Sequence, residues 1–208
     1  LSNKNMKICL INNLYGKNAV GGAEKVVQAQ ALEYKKKGDS VVVITSKANK
    51  SPKIDKNDVD EIVIYKVFIP NIFYYKDLAK HGFISKLIWH FIDIFGKSKD
   101  IDKILAEEKP DVVETHNLMG IGYNLKMQNA CLPIGTAKCK IKWRHYLHDV
   151  QLVEPSGVLP WNYDTVGNRH ACSFRVIYSW IMKRKFRNVD EVISPSEFLK
   201  NFYRERGF

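Results

Sequence analysis

The 208-residue sequence contains no long hydrophobic run. Its longest apolar stretch, residues 83–95, includes Lys86, His90 and Asp93 and is shorter than the ~20 apolar residues that a membrane-spanning helix needs. The N-terminus also lacks the apolar block of ~7–15 residues and the small-residue cleavage site of a signal peptide. We therefore expect a cytoplasmic protein in which residues 1–5 are a tag or a disordered leader.

Cysteine is scarce and unpaired along the chain. The four cysteines are Cys9, Cys131, Cys139 and Cys172. They form no C-x-x-C pair, and a chain of this size does not depend on disulfides for stability. The set of Cys139, Cys172, His145 and His148 matches none of the common spacings of structural zinc sites. We predict free thiols, no metal site and no resident cofactor.

Two common nucleotide-binding motifs are absent. The glycine-rich loop between residues 13 and 22 lacks the G-x-G-x-x-G spacing, and residues 45–47 (TSK) supply no acidic side chain for a ribose, which argues against a nicotinamide cofactor. Gly16 and Lys17 are followed by Asn18 and lack the earlier glycine of a P-loop. A P-loop nucleoside triphosphatase is therefore excluded.

Acidic residues are outnumbered, since 33 Lys and Arg against 22 Asp and Glu give a formal net charge of +11. Such a charge attracts anions, including nucleotides, phospholipid headgroups and nucleic acid. Residues 171–187 concentrate cations and aromatic rings on one predicted helix. Because no nucleic-acid-binding motif accompanies them, we do not expect a nucleic-acid partner. The same helix could instead contact an anionic membrane surface.

The order of predicted elements indicates an α/β fold. Strands are predicted at 7–12, 40–45, 61–68, 111–115, 141–147 and 191–194, helices at 23–37, 83–95, 99–108, 120–128, 171–187 and 196–206, and loops at 46–60 and 149–169. The helix at 83–95 carries its apolar side chains along one stripe, which is typical of an amphipathic helix. Strand and helix alternate throughout, which predicts one Rossmann-like domain, residues 6–208, with a doubly wound parallel sheet.

Ligands of such sheets bind at the carboxyl ends of the strands, so the loops after the strands are the candidate sites. Gly21 and Gly22 open the first helix, where backbone N–H groups and the helix dipole favour a phosphate. The glycines would equally suit an ordinary turn. His116 and His148 each follow a strand and could bind a hydroxyl or a phosphate, although a structural hydrogen bond would also explain each one. His145 lies further back in its strand, on the opposite face from His148.

These motifs, taken in order, resemble glycosyltransferase family 4, whose members are retaining sugar transferases of the GT-B fold. The matching segments are residues 21–24 (GGAE), 111–117 (DVVETHN), 147–149 (LHD), 155–156 (PS) and 192–198 (VISPSEF). The resemblance covers residues 6–208. It implies that the chain is the N-terminal, acceptor-side half of a nucleotide-sugar glycosyltransferase.

The resemblance also implies roles for individual residues. Gly21 and Gly22 would lie against the donor diphosphate, and His148 would lie near the donor sugar and contribute to turnover. Residues of the acceptor pocket would include His116, Asn117 and the loop that begins at Asp149. The implied acceptor is a saccharide or a lipid-linked saccharide, as in polysaccharide biosynthesis, reached from the inner face of a membrane, and no metal ion is implied.

The family's second Rossmann-like domain, which holds most of the donor, has no counterpart in the sequence. We therefore expect that these 208 residues alone do not transfer sugar. Two other interpretations remain open: a non-catalytic nucleotide- or sugar-binding module, and, less favoured, a basic nucleic-acid-binding domain.

Overall fold

The structure, a computed structural model, describes residues 5–16, 19, 21–127, 141–159 and 173–208. The predicted leader, apart from Asn5, and residues 160–169 of the predicted loop lie outside the described residues. The chain divides into two compact units, residues 1–144 and residues 145–208.

The described residues of the first unit form five complete strands and three α-helices. They are β1 (Lys7–Ile11), α1 (Gly22–Lys36), β2 (Ser40–Lys47), β3 (Ile54–Val59), β4 (Ile62–Phe68), α2 (Phe83–Phe95), α3 (Lys99–Glu108) and β5 (Val112–Thr115), with a 3₁₀ helix at Tyr75–Lys80. Strand β6 (Lys142–Tyr146) contains the boundary between the units. The second unit continues with α4 (Ser173–Phe186), β7 (Glu191–Ile193) and α5 (Glu197–Arg204).

The strands form a sheet in the order β3-β4-β2-β1-β5-β6-β7. Strand β1 pairs in parallel with β2 and with β5, and β2 pairs in parallel with β4. Of these four strand pairs, the pair of β3 with β4 is the antiparallel one. The predicted α/β class with a Rossmann-like, mostly parallel sheet is confirmed. Because the chain winds outward through β2 in one direction and through β5 in the other, the switch point lies between β1 and β5.

The core of the first unit is built on strands rich in β-branched residues. Residues 41–46 of β2 and residues 8–11 of β1 are buried, as expected of central strands covered on both faces. Val27 and Ala31 of α1 pack into the same core. Among the described residues, the buried polar side chains of β1, β2 and β5 and of the loops that follow them lie where these strands end.

Helix boundaries agree with the local signals in the sequence. Helices α2 and α3 have the predicted bounds. After α1 the chain turns at Gly38, whose φ of 87° suits glycine. Helix α5 is capped by Ser196, whose side chain accepts a hydrogen bond from the Leu199 N–H at 3.2 Å. None of the described helices is long and apolar enough to cross a membrane.

Two predicted elements are wrong. The segment 46–60 is not all loop, because residues 54–59 form β3 at the sheet edge; most of its side chains are exposed, so the strand shows no alternation of apolar and polar residues. Residues 120–126 contain a turn and a bend and do not form the predicted helix. Gly120 and Gly122 adopt φ values of 85° and 96°, which a right-handed helix does not allow.

Candidate active site

The candidate site of the first unit lies at the switch point, where β1 and β5 end. Two asparagines, Asn12 and Asn13, follow β1 directly and are fully buried. The Asn12 side-chain oxygen accepts a hydrogen bond from the Asn117 N–H at 3.0 Å, and the Asn13 N–H donates to the Asn117 carbonyl at 2.9 Å. These two bonds hold the loops after β1 and β5 side by side.

The end of β2 is attached to the same loop. The Asn13 carbonyl accepts hydrogen bonds from Thr45 Oγ1 at 3.1 Å and from the Ser46 N–H and Oγ at 3.2 and 2.7 Å. Thr45 and Ser46 therefore fasten the loop after β1, at a position where a nicotinamide-binding protein would carry an acidic ribose ligand. The carboxyl ends of three adjacent strands form one rigid frame.

The glycine-rich loop leads into α1 beside this frame. Gly21 is the N-cap of α1, and its N–H donates to Glu24 Oε2 at 2.9 Å. Glu24 is buried, so the helix holds its own carboxylate at its first turn, in the arrangement of a capping box. Gly22 is exposed, and a Cβ at this residue would meet nothing within 4 Å. Of the two predicted phosphate contacts, only Gly22 lies on an open surface with no acidic group against it.

His116 and Asn117 follow β5 but differ in exposure. His116 is 1% exposed, and its backbone N–H donates to the Ile11 carbonyl at 2.9 Å, which aligns β5 with β1. Asn117 is partly exposed, although its side-chain oxygen accepts a hydrogen bond from the Met119 N–H at 3.2 Å. In this conformation Asn117 is the better placed of the two to meet a ligand.

An ion pair between Glu114 and Arg144 lies near the carboxyl end of β5. Glu114 is fully buried, and its Oε1 accepts hydrogen bonds from Tyr34 Oη at 2.9 Å and Arg144 Nη1 at 3.1 Å. Its other oxygen, Oε2, has no hydrogen-bond partner among the described residues. Arg144 thus supplies the opposite charge that a buried carboxylate requires.

In the second unit, His148 and Asp149 lie just beyond the end of β6. Backbone hydrogen bonding beyond β6 includes Leu147, whose N–H donates to the carbonyl of Ile193 in β7 at 2.8 Å. His148 and Asp149 are partly exposed. Burial raises the pKa of Asp149 above its usual range, opposed by a hydrogen bond from the Gln151 N–H. His145, by contrast, is buried within β6 and contacts the Phe186 ring edge-on, with ring centroids 4.6 Å apart.

The loop that begins at Asp149 is held by two tyrosines from the helices of the second unit. Tyr203 of α5 donates to the Asp149 carbonyl at 2.9 Å and accepts from the Leu152 N–H at 3.2 Å. Tyr178 of α4 donates to the Gln151 carbonyl at 2.7 Å. Residues 149–152 are therefore anchored from α4 and α5, which positions the two polar side chains that follow β6.

Tyr203→Phe is expected to loosen this loop. Without the hydroxyl, the Leu152 N–H and the Asp149 carbonyl each lose a partner, and leaving such groups unpaired typically costs about 1–3 kcal/mol. Amide hydrogen exchange should be faster at Leu152, while the helical circular dichroism of the protein stays unchanged. Unchanged exchange at Leu152 would mean that Tyr203 contributes only its ring packing. Tyr74→Phe, in the first unit, serves as the control.

Several residues that hold the loops after the strands were not predicted from the sequence. Asn12, Asn13, Tyr178 and Tyr203 act through backbone groups distant in the sequence, and no local pattern reveals such partners. The role of Glu24 could have been predicted, because an acidic residue three positions after an N-cap is typical of a capping box. No cluster of three metal-ligating side chains occurs within the described ranges; Cys131, Cys139 and Cys172 lie outside them.

Comparison with known proteins finds similarity to a family model, to a curated relative and to solved structures. The family model for Glycosyltransferase Family 4 matches residues 20–208. An uncharacterized 42.6 kDa protein in the cps region of Klebsiella pneumoniae is 29% identical over 209 residues, which cover 98% of this chain and 52% of that protein. A sucrose-phosphate synthase from Thermosynechococcus elongatus has a similar fold, with a TM-score of 0.54 and 16% identity over 96% of this chain and 45% of that one. The chain spans about half the length of the curated relative.

Proposed function

Because the chain belongs to glycosyltransferase family 4, we propose that it is the acceptor-side half of an enzyme that transfers a sugar from a nucleotide-sugar donor with retention of configuration. The complete enzyme would add a second Rossmann-like domain that holds most of the donor, and these 208 residues alone would not transfer sugar. The acceptor is a saccharide or a lipid-linked saccharide, in polysaccharide biosynthesis at the inner face of a membrane. The relative in the cps region supports this role.

The open first turn of α1 beside the switch point carries the proposal. A helix N-terminus presents backbone N–H groups and a partial positive charge, which suits the diphosphate of a nucleotide sugar. Gly22 leaves this surface open among the described residues, and the frame of Asn12, Asn13 and Ser46 holds the first residues of the adjoining loop. A preformed frame beside an open helix start favours phosphate binding, because less of the protein has to become ordered.

Polar residues that follow β5 and β6 supply the remaining roles. His148 donates a hydrogen bond to a donor-sugar hydroxyl or to the charge that develops as the sugar–phosphate bond breaks. The family resemblance assigns Asp149, Asn117 and the buried His116 to the acceptor side. The acceptor hydroxyl forms the new glycosidic bond as the nucleoside diphosphate leaves. The reaction as proposed needs no resident cofactor and no metal ion.

A turnover screen of the complete enzyme tests this function. Purified enzyme is incubated with a panel of nucleotide sugars and with saccharide and lipid-linked acceptors, with and without a chelator. We expect one donor to be consumed with release of its nucleoside diphosphate, with the anomeric configuration retained in the product, and with equal rates in both chelator arms. Donor binding without any transfer across the panel would favour the non-catalytic binding module.

Gly22→Val is expected to impair use of the donor in the complete enzyme without unfolding the protein. A Cβ at this residue would meet no described atom within 4 Å, and the valine side chain would occupy the surface over which a phosphate must approach the helix. Hydrogen bonds to charged groups contribute about 1.5–3 kcal/mol, so kcat/KM for the donor should fall about tenfold or more. Steady-state kinetics with varied donor measure this effect.

Gly82→Val is the matched control, because Gly82 is also at the start of a helix and its Cβ would also meet nothing within 4 Å. This variant should keep normal donor kinetics. If Gly22→Val behaved like Gly82→Val, the glycine-rich loop would be an ordinary turn.

A further inference from the structure

The apolar stripe of α2 faces away from the core. Of the described residues, this helix carries the largest group of exposed hydrophobic side chains: Phe83, Ile84, Leu87, Ile88, Phe91 and Phe95. Phe83 is 80% exposed and Phe91 is 63% exposed. At 100° per residue these six side chains fall within an arc of about 140°. We call this arc the outer face of α2.

The inner face of α2 is already fully occupied. Trp89 is 1% exposed and its Nε1 donates to the Phe73 carbonyl at 2.9 Å. The Asp93 carboxylate is buried and accepts the Gly120 N–H at 3.1 and 3.2 Å, and burial raises its pKa to about 7. Rotating α2 to bury its outer face would break these contacts and expose Trp89. Among the described residues, Phe83 and Phe91 of the outer face therefore stay exposed, and this surface is open to an external partner.

The charges around the outer face identify the kind of partner. Residues 72–99 contain five lysines and two aspartates. Asp93 is buried, and Asp77 is paired with Lys80 at 2.6 Å. Lys97 and Lys99, beyond the C-terminal end of α2, are exposed. Lysine is depleted in protein–protein interfaces, whereas phenylalanine and leucine flanked by lysines are typical of helices that lie on anionic membranes.

Helix α4, for which the sequence predicted membrane contact, exposes fewer apolar side chains among its described residues than α2. Among the side chains of α4 that the structure describes, the exposed apolar ones are Val176, Ile177 and Trp180. Its cations are partly engaged, since the Arg184 guanidinium lies 4.6 Å from the centre of the Trp180 ring. Lys183 lies 5.7 Å from the centre of the Phe208 ring.

We propose that the outer face of α2 is a docking surface for an anionic membrane, with Phe83 and Phe91 inserted between headgroups and Lys97 and Lys99 against lipid phosphates. Thirteen helical residues extend about 20 Å, too short to cross a bilayer, so α2 lies in the plane of the interface. This surface deepens the membrane location proposed above. Its test measures vesicle binding instead of sugar transfer, so the docking surface and the activity can fail separately.

Co-sedimentation of the protein with lipid vesicles tests the proposal. We expect binding to vesicles of phosphatidylcholine with phosphatidylglycerol, and much weaker binding to phosphatidylcholine alone. Phe83→Ser/Phe91→Ser should weaken binding to the anionic vesicles at least about tenfold, because each ring loses its transfer from water. Phe198→Ser is the matched control, since Phe198 is 68% exposed on α5, and it should bind like the unmodified protein.

Charge is tested separately. Lys97→Gln/Lys99→Gln should weaken binding about tenfold at low salt, because each cation near an anionic surface contributes several-fold in affinity, whereas Lys50→Gln/Lys53→Gln should have no effect. All variants should keep the thermal transition of the unmodified protein.

Equal binding to neutral and anionic vesicles, or unchanged binding of the double phenylalanine variant, would overturn the proposal. Concentration-dependent dimerisation that the phenylalanine variant abolishes, without vesicle binding, would assign the outer face to a second copy of the chain and would also overturn it.

Discussion

His148→Ala in the complete enzyme is expected to lower kcat about 100-fold, which corresponds to about 2.7 kcal/mol of transition-state stabilisation. The proposed function assigns the partly exposed imidazole beyond β6 a hydrogen bond to the group on which charge develops. A contact that strengthens in the transition state affects kcat more than KM. Steady-state kinetics with saturating donor and acceptor measure this effect, and the thermal transition should change little because His148 lies outside the strand.

His145→Ala is the matched control in the same strand. His145 is 4% exposed and packs against Phe186, so its loss should lower the free energy of unfolding by about 0.5–3 kcal/mol. Its kcat, measured below the melting temperature, should stay close to that of the unmodified enzyme. Equal loss of kcat in the two variants, or a His148→Ala variant that changes only the melting temperature, would remove His148 from the proposed site.

Arg144→Met is expected to lower the free energy of unfolding by about 3–5 kcal/mol, because it leaves the fully buried carboxylate of Glu114 without an opposite charge. Tyr34 Oη still donates to Glu114, but a neutral donor compensates a buried charge only in part. Urea denaturation at neutral pH measures the loss.

The double variant Glu114→Gln/Arg144→Met distinguishes a buried charge from lost packing. Removing both charges should recover most of the stability that Arg144→Met loses, because no ion then remains buried. A double variant as unstable as Arg144→Met would show that the arginine stabilises the protein by packing alone. Arg144→Lys, which retains a cation, should lie between the unmodified protein and Arg144→Met.

Local signals in the sequence were sufficient for most of the fold. The β-branched run of β2 predicted a buried strand, and Gly38 and Ser196 predicted a helix end and a helix start. Strand β3 and the turn and bend at residues 120–126 were missed for different reasons. The β3 side chains are mostly exposed and show no apolar periodicity, whereas the turn depends on Asp93, which lies 27 residues before its partner Gly120.

The amphipathic pattern of α2 was visible in the sequence, but its orientation was not. Periodicity shows that apolar side chains share one face of a helix, but it does not show which face packs on the core. In the structure Trp89 and Asp93 occupy the inner face, and the stripe with Phe83 and Phe91 is outside.

The sequence by itself determined the family, the α/β class and the loops that carry the candidate site, because these depend on residue order and local periodicity. Only the tertiary structure decided how the loops are held: Asn13 fastens the end of β2, Glu24 occupies the Gly21 N–H, and Tyr203 anchors the loop after β6. Most of these contacts join residues far apart in the chain, whose proximity depends on the packing of the whole unit and leaves no trace in local sequence pattern.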